Sequence, residues 1–409
     1  MKCRHCNSAN MKPVIDLGSS PPSNAYLLQE DLSKLEKWFP LKVNVCVECF
    51  LVQTEDYADA DELFNVDYAY FSSFSKTMLD HSKCYVGDMV DRFSLNEDSM
   101  VIEIAANDGY LLQYFKDKSV PCLGVEPTKS TAEAARSKGI EIIEEFFGVA
   151  LAKNLVGKGF SADLMISNNV LAHVPDINDF VEGYSLLLKP DGVATFEFPY
   201  LVNLFEKNQF DTIYHEHYSY LSLTAVNTIF SKNGLHVFDV ELIDTHGGSL
   251  RVFAQRKDSL REEPQSKMVK ELLEKENAKG YLSERAYVGF QHVAEKAKDD
   301  LVKFLITAKE EGKSVCAFGA AAKGNTFINF AGIRPDLIFA VADSNPAKQG
   351  KFMPGSRIPI VSEEVLASYK PDYVVILPWN LKEEISSRLS YMREWDCQFI
   401  VGIPTMEIL

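Results

Sequence analysis

The sequence predicts an α/β protein with a doubly wound parallel sheet at its centre, a small cysteine-built unit before it and a second, smaller α/β unit after it. Three observations predict this. Two C-x-x-C pairs stand within the first 65 residues, and between about 66 and 255 short apolar strands alternate with helical stretches. After a charge-rich run from 256 to 312 the strand–helix alternation resumes. A length of 409 residues is long for one ordinary domain, and two or three is the prior.

The first unit, 1–65, holds Cys3, Cys6, Cys46 and Cys49, with extended segments such as "PLKVNVCVECFLVQ" around the second pair. Two such knuckles let four thiolates converge on one tetrahedral ion, and a closed four-cysteine site leaves no open position. The expectation is therefore a structural Zn2+ ion; the alternative is a set of reduced surface thiols. His5, between the first two cysteines, is expected to face solvent.

The second unit, 66–255, reads as strand, turn and helix in "MVIEIAANDGYLLQYF", then as strands in "CLGVEP", "ADLMISNNVLAHV" and "GVATFEFPYL". In a doubly wound sheet, ligands sit beyond the carboxyl ends of the strands. The stretch 256–312, "KMVKELLEKENAKGYLSERAYVGFQHVAEKAKDDLVKFLITAKEEGK" at its centre, has apolar residues at helical spacing and predicts a helical connector with solvated charged faces. The third unit, 313–409, carries strands in "SVCAFGAAAKGNTFINF", "LIFAVADSN", "YVVILPWN" and "CQFIVGIP".

Composition narrows the function. Apolar residues make up 46% and charged residues 24%, ordinary globular material. The net charge of −16 argues against nucleic acid as a partner, while leaving room for one cationic pocket for a small anion. "MKCRHCNSAN" has no apolar signal core and no run approaches transmembrane length, so a cytoplasmic protein without a membrane partner is expected, with its cysteines as thiols or metal ligands. Oligomeric state is not legible.

In "VIEIAANDGYLL" a strand ends at Glu103 and the turn runs through Ala105, Asn107, Asp108 and Gly109. Small turn residues allow close approach to the backbone, and the following helix presents free N–H groups. About 20 residues on, Glu126 stands where an acid takes the hydroxyls of a ribose. The absence of G-x-G-x-x-G suits S-adenosylmethionine better than a dinucleotide. "SNNVLAHVPD", with Asn168, Asn169 and His173, strengthens that reading, since N-V-L-x-H-V-x-D after the fourth strand recurs in class I methyltransferases. "DTIYHEHYSYLS" gathers Tyr214, His215, Glu216 and His217, open between an acid–base centre, a metal pair if the segment is extended, and an aromatic core with satisfied histidines. "FGAAAKGNTF" places Lys323 and Asn325 at a strand-to-helix turn, which suits a diphosphate or is simply a tight turn. Asp343 could meet a ribose or cap a helix.

Taken in order, the paired C-x-x-C, "EIAANDGYLL", "SNNVLAHV", "FDTIYHEHYSY", "HGGSLRV" and "GAAAKGNT" make the chain resemble, over essentially its whole length, the S-adenosylmethionine-dependent sugar C-methyltransferases that act at C3 of nucleotide-linked 4-keto-6-deoxy sugars. One departure is Ala105, where that family usually has glycine. The resemblance implies a class I methyltransferase Rossmann-like core at 66–255, a zinc-binding domain at 1–65 and a Rossmann-like C-terminal domain at 313–409 that helps hold the nucleotide sugar, expected in the dTDP form. It implies S-adenosylmethionine as cofactor, held by Glu103, Ala105, Asn107, Gly109, Glu126, Asn168 and Asn169. Methylating carbon needs a base, donors for an enolate oxygen and exclusion of water. The resemblance assigns His217 as the base at C3, Tyr214 as donor to the substrate or enolate oxygen, Glu216 to orientation or proton relay and His173 to the enolate oxygen. It places Tyr68, in "VDYAYFSSFSKT", near the sugar, with Lys323 and Asn325 on the nucleotide; His215 is read as structural, and His246 and Arg251 receive no role. Rival readings are an O- or N-methyltransferase on a similar sugar, a non-catalytic zinc- and nucleotide-binding scaffold, and an RNA methyltransferase, which the acidic balance disfavours.

Overall fold

The computed structural model describes residues 1–57, 71–261 and 263–409, and arranges its strands in three sheets. The first is antiparallel and begins with β1 (Met11–Ser20), β2 (Phe39–Cys46) and β3 (Val52–Thr54). Val14, Ile15 and Leu17 of β1 are buried with Leu41, Val43 and Val45 of β2. The register of β1 shifts between Pro13 and Ile15 and again between Asp16 and Ser19. Pro13 has no N–H to give the ladder, and Gly18 takes φ 76. Those breaks spoil the period of two that would have announced the strand.

The central sheet takes β4 (Val101–Ile104), β5 (Cys122–Val125), β6 (Glu141–Ile143), β7 (Ala162–Asn168) and β8 (Leu188–Pro199). The next strand, β9 (Ser219–Tyr220), leaves this sheet and pairs with β3, becoming the fourth strand of the first sheet. The chain then returns with β10 (Leu235–Ile243) and β11 (Ser249–Arg256). The order is β10-β11-β8-β7-β4-β5-β6. Its order reverses beside β4, which sends the chain outward through β5 and β6 and then back across to β7; this is the switch point where such sheets open a crevice. Successive residues of β4 face opposite ways: Val101 belongs to the apolar cluster that holds Tyr85, Leu112 and Ala132, whereas Ile102 and Ile104 belong to the one that holds Leu151, Tyr184 and Val226. Helices therefore cover both faces, and β4, β5 and β7 are mostly apolar. One strand of the sheet, β11, runs antiparallel to both neighbours. Only the short link 244–248 joins it to β10, too short for a crossover.

Helices Lys267–Ala278 and Phe290–Glu310 form the connector. Its charges are not all solvated: Glu276 is fully buried, and its carboxylate accepts from the backbone N–H of Leu223 and of Thr224, from the Thr224 hydroxyl and from Tyr200 Oη. It thus caps helix Leu223–Lys232 of the central unit and fastens the connector to it. The third sheet comprises β12 (Val315–Phe318), β13 (Val341–Ala342), β14 (Ile360–Val361), β15 (Tyr373–Ile376), β16 (Gln398–Val401) and β17 (Glu407–Ile408). Its order is β14-β13-β12-β15-β16-β17, parallel except for β17. Among the described residues, no helix is long and apolar enough to cross a membrane.

Candidate active site

A cavity of about 1380 Å³ opens where β4, β5 and β7 end, lined by residues of all three units. Ala105, Asn107, Glu126, Asn168 and Asn169 line it together with His173, Tyr214, Glu216, His217 and Lys323. Residues more than 200 positions apart in sequence therefore share one chamber.

The turn after β4 builds one part of the wall. Ala105, Asn107 and Gly109 have φ 56, 49 and 73, three left-handed residues within five positions, which turns the backbone sharply toward the cavity. Glu126, just beyond β5, accepts from the N–H of Asn107 at 2.9 Å and from that of Thr128 at 2.8 Å. Burial nevertheless pushes its carboxyl above the usual range. Each oxygen keeps a lone pair for a ligand hydroxyl. Asn168 Oδ1 is buried without a partner among the described residues, an acceptor suited to a ligand donor. A carboxylate for vicinal hydroxyls, a close-approach turn and an unused amide oxygen fit a nucleoside carrying an amino-acid chain, so the residues present suit S-adenosylmethionine.

Two residues expected in that wall stand behind it. Glu103 is buried and does not line the cavity; burial, then the carboxylates of Glu126 and Asp108, push its pKa well up. Gly109 is also set back: a Cβ there would lie 2.4 Å from Ile140 Cδ1, so glycine serves helix–strand packing as well as the turn.

The stretch 211–222 is a junction of the three units. It opens in a short 3-10 turn, Phe210–Thr212, whose Phe210 ring packs on Phe327 and Phe330 of helix Ala322–Phe330. Asp211 accepts from Trp379 Nε1 at 2.8 Å, and burial pushes its pKa up to about 7. The chain then turns at 215–216 and only becomes a strand at Ser219, so the extended conformation that would pair His215 with His217 on a metal does not form. His215 points to the first unit, with Nε2 3.2 Å from the carbonyls of Phe39 and Pro40, the structural place expected for it.

His217 points into the cavity. Its Nδ1 lies 2.7 Å from the Thr212 carbonyl, which can only accept, so Nδ1 carries the proton and Nε2 the lone pair. Tyr214 Oη donates to that Nε2 at 2.8 Å, and the two rings stack 3.9 Å apart. The His173 ring lies 4.6 Å from that of His217, and burial lowers its pKa to about 4, so it is neutral near pH 7. Orientation of His217, expected of Glu216, falls to the Thr212 carbonyl instead. The Glu216 carboxylate accepts from Asn24 Nδ2, 2.9 and 2.7 Å from its two oxygens, and burial pushes it up to about 7.

The remaining expectations divide. Lys323 lines the cavity, with Nζ 2.8 Å from Asn380 Oδ1 and 4.9 Å from the Trp379 ring, and burial lowers its pKa. Asn325 is fully buried and does not line the cavity; standing two residues past Lys323, about 200° round the helix, it faces the other way, where Nδ2 donates to the Ser23 carbonyl at 2.6 Å. Tyr68 lies outside the described residues. Arg251 acquires a place: it bridges Glu197 at 2.6 Å and Glu241 at 2.7 Å, and Glu197 holds the cavity-lining His81 at 2.9 Å. Sequence reasoning missed His81 and Asn24, neither of which sits in a motif.

The sulfur atoms of Cys3, Cys6, Cys46 and Cys49 lie within 4.8 Å of one another, the spread of one tetrahedral site with no open position. They are the ligand set for a structural zinc ion. His5 is corrected: it is buried, with Nδ1 2.8 Å from Asn178 Oδ1, because the first knuckle docks on the central unit.

Comparison with known proteins matches all three units. Residues 3–64 match the family described as "Putative zinc binding domain", 78–240 a "Methyltransferase domain" and 244–404 a "C-methyltransferase C-terminal domain". The C-methyltransferase NovU of Streptomyces niveus is 35% identical over 408 residues, covering 100% of this chain and 96% of that protein. Among solved structures, the PH0226 protein of Pyrococcus horikoshii OT3 aligns at 14% identity and TM-score 0.39, covering 49% of this chain and 100% of that one. Magnesium protoporphyrin IX methyltransferase of Synechocystis PCC 6803 aligns at 15% identity and TM-score 0.34, covering 44% and 79%.

Proposed function

The chain belongs to the C-methyltransferase family, and from that premise we propose that it transfers a methyl group from S-adenosylmethionine to C3 of a nucleotide-linked 4-keto-6-deoxy sugar, in the dTDP form, through an enolate. The observation that carries the reading is the His217–Tyr214–His173 cluster opening into the same cavity as the turn after β4 and Glu126.

Glu126, Asn168 and the turn through Ala105 and Asn107 hold the cofactor, which supplies an electrophilic methyl on a sulfonium. A ketone at C4 acidifies the C3 proton, and the Nε2 lone pair of His217 takes it; a positioned base of this kind contributes about 10²–10⁴-fold. Thr212 keeps the ring in the required tautomer. Tyr214, whose hydroxyl rests on Nε2, turns its O–H to the substrate oxygen when C3 occupies that nitrogen. His173, neutral near pH 7, spends its one N–H on the Glu216 backbone carbonyl and reaches the developing enolate oxygen only by exchanging that bond, and a neutral donor does not quench the carbanion by handing over a full proton. Glu216, near 7, accepts or releases a proton at working pH and relays the one collected from C3. Lys323 supports the diphosphate.

The test is transfer from S-adenosylmethionine labelled at the methyl with CD3, using a dTDP-4-keto-6-deoxy sugar and carbon NMR of the product. Label on C3 is expected. Label on an oxygen or nitrogen would move the reaction to another class of methylation.

A further inference from the structure

The segment 21–28, "PPSNAYLL", leaves β1 of the metal-binding unit and enters the active site. Three anchors hold it against the C-terminal unit. The Ser23 carbonyl accepts from Asn325 Nδ2 at 2.6 Å, Tyr26 Oη donates to the Ala320 carbonyl at 2.6 Å, and Leu27 and Phe352 exchange backbone hydrogen bonds of 3.0 and 2.8 Å. Between these anchors stands Asn24, which lines the cavity and places its amide nitrogen on both oxygens of Glu216, 192 residues away. The amide orientation follows from its partner, since a flipped amide would set an oxygen against a carboxylate.

We propose that Asn24, delivered by the metal-binding unit, is a positioning residue of the reaction centre: its amide fixes the Glu216 carboxylate in the cavity wall beside His217 and His173, so the centre is assembled from all three units. The proposal deepens the reading above and rests on it for the relay role of Glu216. Glu216 is 1% exposed, and Asn24 meets it twice, through the side-chain amide on both carboxylate oxygens and through its backbone N–H. An N–H fork on a carboxylate favours the ionised form, whereas burial favours the protonated one; the two pull in opposite directions on Glu216. The other titratable groups around this point are His173, Tyr214 and His217 of the central unit, Tyr26 of the same segment, and Lys323 and Lys348 of the C-terminal unit.

The experiment uses the full chain with its metal bound. The stability difference between wild type and Glu216→Gln is followed against pH, giving the titration of Glu216 without substrate. The same difference is then measured in Asn24→Ala and Asn24→Asp backgrounds. The expected result is a midpoint raised by about one pH unit or more in Asn24→Ala, and by more in Asn24→Asp, which sets a like charge against Glu216. Methyl transfer at pH 7 falls about tenfold or more in kcat, with KM for S-adenosylmethionine nearly unchanged, and recovers toward higher pH. An unmoved midpoint in both variants overturns the proposal, as does an unchanged pH–rate profile. Asn24→Asp keeps the side-chain volume, so a folding defect confined to Asn24→Ala does not blunt the test. Absence of C3 methylation by wild type would sink the keto-sugar reading, while the substrate-free titration would still decide the role of Asn24.

Discussion

At the scale of single residues, Glu216 joins structure to pH. Burial holds its carboxyl at about 7 when folded, against an unfolded value near 4.3. A group with a raised folded pKa contributes stability fully below its unfolded pKa, and that contribution is lost as pH rises through the folded pKa. Replacing it by glutamine removes the penalty above that window. Glu216→Gln is therefore expected to be more stable than wild type at pH 8 by roughly 1–3 kcal/mol, with the advantage shrinking toward pH 5, while transfer is lost. Chemical denaturation at the two pH values measures it; an advantage larger at pH 5 would contradict the assignment. Residues of this kind were legible where a motif concentrated them, as in "YHEHYSY" or at Glu126 after its strand. Asn24 and Thr212 were not, because one acts through a side chain 192 residues from its partner and the other through a carbonyl that any residue would supply.

At the scale of elements, the turn after β4 is the most exacting piece of backbone. Ala105 adopts φ 56, a left-handed conformation that costs a residue with a Cβ roughly 1–2 kcal/mol. Ala105→Gly is expected to raise the denaturation midpoint by the equivalent of about 0.5–1 kcal/mol, the remainder offset by glycine's freedom in the unfolded chain, with cofactor affinity held. A lower midpoint would show that the methyl group packs where the turn account leaves it idle. The strands β4, β5 and β7 were legible because they are short and mostly apolar, with a polar residue near or just after the end of each, Glu103, Glu126 and Asn168. β1 was not, since Pro13, Gly18 and two register shifts erase its alternation, and β9 was not, since two residues carry no pattern. The reversal of β11 follows from the length of its link to β10, a cue open to sequence reasoning once both strands are recognised.

At the scale of the whole molecule, units that read as successive in sequence are interleaved in space. β9 leaves the central unit to complete the first sheet, the segment 21–28 reaches across to the third, and the stretch 211–222 touches both. The metal site lies in the first sheet's unit, outside the reaction centre, yet β2 ends at Cys46 and also supplies the carbonyls that hold His215. Removing the ion with a chelator is expected to lower the thermal midpoint of the full chain and to abolish methyl transfer together with it, both returning on addition of Zn2+. Transfer at an undiminished rate in metal-free protein would show the first sheet to be dispensable.

The central claim is that this cavity generates a carbanion at C3 using His217. Deuterium wash-in at C3 tests it most directly, with a dTDP-4-keto-6-deoxy sugar and S-adenosylhomocysteine in D2O, wild type beside His217→Asn. Exchange by the wild type that the variant loses is the predicted result. No exchange by a wild type that binds and methylates the same sugar would contradict it.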